Sequence, residues 1–340
     1  MNDSSKVVTM AHGSGGRAMQ QLIERLFLQA FDNPWLSQRE DGARLMLSAL
    51  TAQGDRLAFT TDSYVIDPIF FPGGDIGKLA VCGTANDLAV SGATPAYLSC
   101  GFILEEGLPM DTLERVVSSM AATARDAGIA IVTGDTKVVQ RGAADKIFIN
   151  TAGVGVIPSG LNWGGAQIAS GDRIIVSGTL GDHGAAILNL RENLGMDLGL
   201  VSDCAVLSGM IAPLRAMRGV HALRDATRGG VNAILHEYAA ASGLGIEIVE
   251  DALPVKPAVR GICELLGLEP LDFANEGKLV IVVTEQAEAA VLQALRAHPL
   301  GADATTIGKV TDGSRVQLRG RLGITRQLML PHGEPLPRIC

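Results

Sequence analysis

Apolar residues recur at three- and four-residue steps between positions 17 and 31, where Met19, Leu22, Ile23, Leu26 and Phe27 form one stripe, and that spacing predicts an amphipathic helix. Shorter apolar or alternating runs at 45–50, 57–61, 97–104, 129–133 and 147–157 predict strands, with helices over 76–91 and 111–127 between them. At 158–172 glycines, Pro158 and polar residues interrupt every period, which marks a linker. A second series then begins. Strands at 173–177, 246–249, 279–283 and 305–310 alternate with helices at 203–217, 230–242, 258–266 and 286–297. The pattern predicts a mixed α/β fold in two units, residues 1–160 and 161–320, with no short repeat that would suggest a solenoid. From 319 onward Pro331, Gly333, Pro335 and Pro337 oppose a regular element, so residues 321–340 are expected to form an extended or loosely docked arm.

Composition agrees with two packed units. At 340 residues the chain exceeds the size at which single cores stop growing, and 47% hydrophobic with 19% charged residues describes a globular interior. A net charge of −8 and 4% aromatic residues disfavour a nucleic-acid surface. No apolar run is long enough to cross a bilayer and the first residues lack a basic start, so a cytoplasmic protein with no membrane partner is expected. Cys82, Cys100, Cys204 and Cys263 are widely spaced among apolar neighbours, as reduced buried cysteines are. Cys340 differs. It ends a proline-rich arm long enough to carry a sulfur from an interior to a partner, a geometry suited to a group carrier.

Asp62 and Asp135 fall directly after strand-like runs, where side chains emerge from a sheet end, and Asp87 lies in an apolar helical context where an unpaired carboxylate is costly. Such a set, with Lys137 beside it, suits Mg²⁺ and ATP; turns and helix caps are the plainer reading of each aspartate alone. His12, Gly13, Ser14 and Gly15 precede a helix and suit a loop that covers phosphate; a dinucleotide fold fails because no second strand ends in an acid at the required distance. Residues 73–78 lack the spacing of a P-loop. Asp225 with Gly229 and Gly230 at a helix start makes a natural phosphate or metal contact, or an ordinary cap. Glu276 stands at the mouth of an apolar strand, where desolvation tunes an acid or base, and His183 is placed for similar work. No zinc spacing and no nucleophile elbow occurs.

Taken together, residues 12–17, Thr61-Asp62-Ser63-Tyr64-Val65-Ile66, Asn86-Asp87-Leu88-Ala89, Gly134-Asp135-Thr136-Lys137, Asp225-Ala226-Thr227-Arg228-Gly229-Gly230, Asn275-Glu276-Gly277-Lys278 and the terminal Pro337-Arg338-Ile339-Cys340 closely resemble the HypE-type hydrogenase maturation proteins, a branch of the PurM-like, ATP-using superfamily. The resemblance spans the chain, and its terminal cysteine separates this branch from the aminoimidazole-ribonucleotide synthetases, selenophosphate synthetases and thiamine-phosphate kinases. It implies a two-domain PurM-like architecture and an ATP-dependent dehydration: a HypF-type carbamoyltransferase loads Cys340, the amide oxygen is phosphorylated, and loss of phosphate leaves an S-cyanide. The cyanide then passes to iron on a HypC-HypD-type complex. By the same resemblance Asp62, Asp87 and Asp135 hold Mg-ATP, with Asp41 and Asp225 as additions, while Glu276, as base, and Lys137, as oxygen or phosphate stabiliser, flank the thiocarboxamide. Asp41 sits in Arg39-Glu40-Asp41-Gly42-Ala43, which departs from the relatives' pattern. A homodimer with nucleotide sites near its interface is also implied, and Arg338 would offset the terminal carboxylate. Two rivals remain: a PurM-like small-molecule kinase or synthetase, and a carrier whose tail responds to nucleotide without catalysis.

Overall fold

Alternation along residues 56–64 sends Thr60, Asp62 and Tyr64 to one side of a strand and Leu57 and Phe59 to the other, and the first unit is built on that division. The computed structural model describes residues 6–192 and 199–331; Arg338 and Cys340 lie outside the described residues. Helix α1 (Arg17–Leu22) runs through one wider turn at Ile23–Phe27 into α2 (Leu28–Ala30), so the predicted amphipathic helix forms with a local bulge. Residues 45–50, expected as a strand, instead give the short α3 (Leu47–Thr51): Met46 and Leu47 point to solvent, Leu50 alone is buried, and no strand pairs with the segment.

Strand β1 (Arg56–Tyr64) is followed by the small hairpin β2 (Phe70–Phe71) and β3 (Gly74–Asp75), helix α4 (Ile76–Val90), β4 (Thr94–Glu105), α5 (Met110–Asp126), β5 (Ala130–Val139) and β6 (Ile147–Ile157). The four long strands form one sheet in the order β1-β6-β4-β5, parallel only between β4 and β5. Helices α4 and α5 cover one of its faces. Asp75 caps α4 by accepting from the N–H groups of Gly77 and Lys78. Helix α5 presents Leu113, Val116, Val117, Met120, Ala121 and Ala124 as a single stripe. In contrast, α4 is buried along nearly all its length, because the sheet lies on one side and the second unit on the other.

The second unit holds β7 (Arg173–Val176), α6 (Asp182–Arg191), α7 (Ser208–Ile211), β8 (Val220–Asp225), α8 (Gly230–Ser242), β9 (Gly245–Val249), α9 (Pro257–Leu266), β10 (Leu279–Val283), α10 (Glu288–Arg296), β11 (Thr305–Thr311), β12 (Val316–Arg319) and β13 (Thr325–Gln327). Its seven strands run β13-β12-β9-β11-β7-β10-β8, and both faces are covered, one by the core around α8 and the other by that around α7 and α10. The helix expected at 203–217 shrinks to α7 and a following helical turn, since residues 199–207 run irregularly along the junction of the units and bury Cys204 and Leu207 there. The part of the arm before residue 332 docks on the second unit: β13 pairs with β12, Leu328 donates its N–H to Val316 O at 2.9 Å and is buried, and Asn232 Nδ2 donates to Met329 O. The four internal cysteines are buried and free, as expected. No described helix is long and apolar enough to cross a membrane.

Candidate functional site

Two expected strand-end aspartates are in fact inside strands, so which sheet face each occupies decides what it can meet. Asp62 pairs with Thr151 on β6, Thr151 with Cys100 on β4, and Cys100 with Gly134 on β5; this row faces α4 and α5. Asp135 is one residue further along. It pairs with Gly101, and Lys137 with Ile103, on the face turned away from both helices. Their side chains form an exposed ion pair at 3.4 Å, each more than 60% accessible. Within one chain, Asp135 therefore does not join Asp62 and Asp87, and Lys137 does not face Glu276.

On the covered face four acids do converge. Thr60 Oγ1 donates to Asp87 Oδ2 at 2.9 Å, and Tyr64 OH donates to Asp62 Oδ2 at 3.2 Å. Thr84 Oγ1 reaches both Tyr64 OH and Asp62 and packs against Thr151 Oγ1. Gly83 makes this possible, because a Cβ there would lie 2.2 Å from the Tyr64 hydroxyl. From the second unit, Asp225 ends β8 and Glu276 precedes β10. The two are brought together because Ala226 N–H donates to Lys278 O and Asn275 N–H to Ala226 O. Asn275 also ties this turn to α6, accepting from Gly181 N–H at 2.7 Å.

The charges in this cluster oppose one another. Burial, then the charge on Asp62, pushes the Asp87 carboxyl up to about 6. Burial, then Asp87 and Asp62, pushes Asp225 up to about 7. Glu276, 3% exposed, is raised well above the carboxylate range by burial first and by Asp225 and Asp203 next. Burial and then Asp62 raise the Tyr64 hydroxyl likewise. Acids that cannot all ionise together are a natural seat for a cation. Among the described residues no three acidic, thiol or imidazole side chains close around one point as a metal cage.

The remaining candidates are spread around this cluster. Asp41 is exposed in an irregular stretch and is not among the main charges acting on Asp87, Asp225 or Glu276. His12 and Gly13 end a helical turn (Met10–Gly13) that lies on β5, with Ser14 and Gly15 in the bend that follows before α1; a Cβ on Gly13 would stand 2.8 Å from Val138 N, so this loop belongs with Lys137. Gly229 and Gly230 open α8 with φ of +74° and +59°, and a Cβ on Gly230 would meet Leu271 O at 2.3 Å. His183 is fully buried, its Nδ1 2.8 Å from Ser202 Oγ, at the junction of the units and not in the acid cluster. Sequence reasoning passed over Thr60 and Tyr64, although a period of two around Asp62 puts both on its face. Asp203 had no local signal.

Comparison with known proteins gives this arrangement a lineage. Residues 40–157 match the family described as AIR synthase related protein, N-terminal domain, and residues 169–321 its C-terminal domain. The chain is 69% identical over 333 residues to the carbamoyl dehydratase HypE of Escherichia coli strain K12, covering 98% of this chain and 99% of that protein. Its fold matches a HypE crystallised in complex with ATP at a TM-score of 0.92 and 48% identity, over 98% of this chain and 99% of that one. It matches a HypE-HypF complex at 0.80 and 45% identity, over 91% and 99%. Likeness of this extent across both units shows that the chain belongs to the HypE family of carbamoyl dehydratases, which are hydrogenase maturation proteins.

Proposed function

We propose that the protein converts a carbamoyl group on the sulfur of Cys340 to an S-cyanide, with ATP accepting the oxygen, and so supplies the cyanide ligand for the iron of a NiFe hydrogenase. The observation that carries this reading is the convergence of the half-buried Asp62, Asp87 and Asp225 on the buried Glu276 at the junction of the two units. An amide oxygen is a poor leaving group until it bears phosphate. The carbamoyl oxygen takes the terminal phosphoryl group of ATP, forming a C–O–P link and releasing ADP and one amide proton; breaking C–O then releases phosphate as the second N–H proton leaves and C≡N forms. Glu276, made basic by its desolvated setting, is the acceptor of that proton.

Asp62, Asp87 and Asp225 are the residues that would hold Mg²⁺, which when bound disperses charge on the transferring phosphoryl. Lys137, Asp135 and the 12–15 loop lie on the open face of the first sheet, and we assign Lys137 and the loop to phosphate contacts, and Asp135 to the Mg²⁺ that would accompany the phosphate, made when a second copy covers that face. That assignment recasts Lys137 as a residue serving a site completed by the partner copy. A HypF-type carbamoyltransferase is the donor to Cys340, as fits the HypE-HypF assembly, and a HypC-HypD-type complex is the cyanide acceptor.

Intact mass tests the reaction. Carbamoylated protein given Mg-ATP should lose the mass of one water at the C-terminal peptide, and Cys340→Ala should show neither loading nor loss. Exposure of the tail by ATP with no mass change, or phosphorylation of a free small molecule by the Cys340→Ala variant, would overturn the dehydratase reading.

A further inference from the structure

Glu276 enters β10 through two peptide units packed directly on residues 202–205. Its N–H donates to Asp203 Oδ1 at 3.0 Å, its carbonyl accepts from Ala205 N–H at 3.3 Å, and a Cβ on Gly277 would stand 1.9 Å from the Asp203 carbonyl oxygen. One residue on, Lys278 Nζ lies 3.2 Å from Asp203 Oδ2, with the two side chains 10% and 3% exposed. A single carboxylate thus grips the backbone before Gly277 and the ammonium after it. Asp203 Oδ2 makes no hydrogen bond among the described residues, so Lys278 is the charge that balances it. The same loop is fastened to the first unit. Ser202 N–H donates to Pro72 O at 2.8 Å, and Asn86, the neighbour of Asp87 on α4, donates to Ala205 O at 3.0 Å and accepts from Leu207 N–H at 2.8 Å.

A buried ion pair seldom adds net stability, because desolvating two charges offsets their attraction, so this pair calls for another role. We propose that Asp203 is a positioning residue for Glu276 in the dehydration reaction, and that Lys278 is the buried cation that lets the Asp203 carboxylate stand there. Asp203 fixes the peptide from which Glu276 projects and ties it, through residues 202–207, to the helix that carries Asp87. The inference rests on Glu276 acting in the reaction set out above. It adds what that reaction needs from the first unit: a base held to a fraction of an ångström against groups on a different sheet, where a misplacement of about 1 Å costs on the order of 100-fold in rate.

Single-turnover water loss from carbamoylated protein, followed by intact mass across a range of ATP concentrations, tests it with two charge-neutral double variants. Asp203→Asn with Lys278→Met keeps an acceptor for the Glu276 N–H and should hold the saturated rate within about threefold of wild type. Asp203→Leu with Lys278→Met removes the acceptor without leaving a buried charge. It should lower that rate by about 100-fold while the ATP concentration at half-maximal rate stays within about twofold. Equal rates in the two variants would overturn the positioning role, as would a Leu/Met variant that loses ATP affinity in step with rate. If that variant does not melt cooperatively, Asp203→Ala with Lys278→Met is held to the same criterion. Wild-type protein run alongside separates the readings, since failure of water loss there overturns the reaction and the inference together, while a Leu/Met variant as fast as wild type overturns the inference alone.

Discussion

Every residue of β10 from Leu279 to Val283 is buried, whereas β1 turns Leu57 and Phe59 outward, Phe59 to 72% exposure, on the strand whose Asp62 turns inward. The seven-stranded sheet has a core on each face, and its interior strand β10 reads in sequence as an unbroken apolar run; the four-stranded sheet has one core, and β1 reads as an alternation. The difference separates two ways of holding charge. Beneath α4 the acids are crowded, and burial makes Asp87, Asp225 and Glu276 resist ionisation; on the open face Asp135 and Lys137 form an ion pair in solvent that is worth little until something covers it. Exposed apolar residues on that face, Ile103 next to Lys137 and Leu57 and Phe59 on the opposite edge strand, are what the proposed second copy would bury.

The comparison breaks most visibly in β10. Ile281→Ala should lower the free energy of unfolding by about 3 kcal/mol, because packed neighbours on its side of a doubly covered sheet cannot collapse into the space. A cost below about 1 kcal/mol in urea denaturation would place β10 with half-covered strands.

The acid cluster comes next. Asp225 and Asp87 have folded-state values of about 7 and about 6 against 3.8 for the unconstrained group. The folded chain therefore keeps protons that the unfolded chain releases. Their stabilising contribution is full below about pH 4 and is lost as pH rises through 6 and 7. Nucleotide-free protein should be less stable at pH 8 than at pH 5 by about 2 kcal/mol, after allowance for the mutual dependence of the pair. Asp225→Asn should remove most of that slope, and Mg²⁺ should restore stability at pH 8. A flat urea-unfolding profile from pH 5 to 8 would show the four acids to be as relaxed as the exposed pair.

Smallest in stability, and sharpest for the open face, is Phe59→Glu. It should change monomer stability by less than about 0.5 kcal/mol while shifting the protein towards a lower molar mass in sedimentation. An unchanged mass would assign the exposed apolar residues some role other than self-association.

Much of this division was legible in the chain. The helices at 76–91 and 111–127 appear as Ile76–Val90 and Met110–Asp126, and the strand at 147–157 as Ile147–Ile157, because local period and long-range packing ask for the same conformation. Where they disagree, packing wins. Cys204, Leu207, Met210, Ile211 and Leu214 have helical spacing, yet the first two are buried by a loop crossing between units. The pattern gives no sign of helix α6 or of β8, β12 and β13, strands of three to six residues too short to set a period of their own. For the site, residue type identified Asp62, Asp87, Asp225 and Glu276, but it could not report face. That Asp135 lies opposite Asp62 follows from the pairing register across three strands, and that Asp203 meets Glu276 follows from contacts between residues 73 apart.

Strand β10 sits between β7 and β8, whose residues were made long before it, and Glu276 is three residues ahead of its first member. The acid therefore has no station of its own. It is drawn into place when β10 slots between β7 and β8, so a nascent chain short of that insertion holds Asp62 and Asp87 without Glu276 beside them. Strands β11 to β13 join the sheet afterwards, and the thiol of Cys340, synthesised later still, can only arrive once the acid is in place.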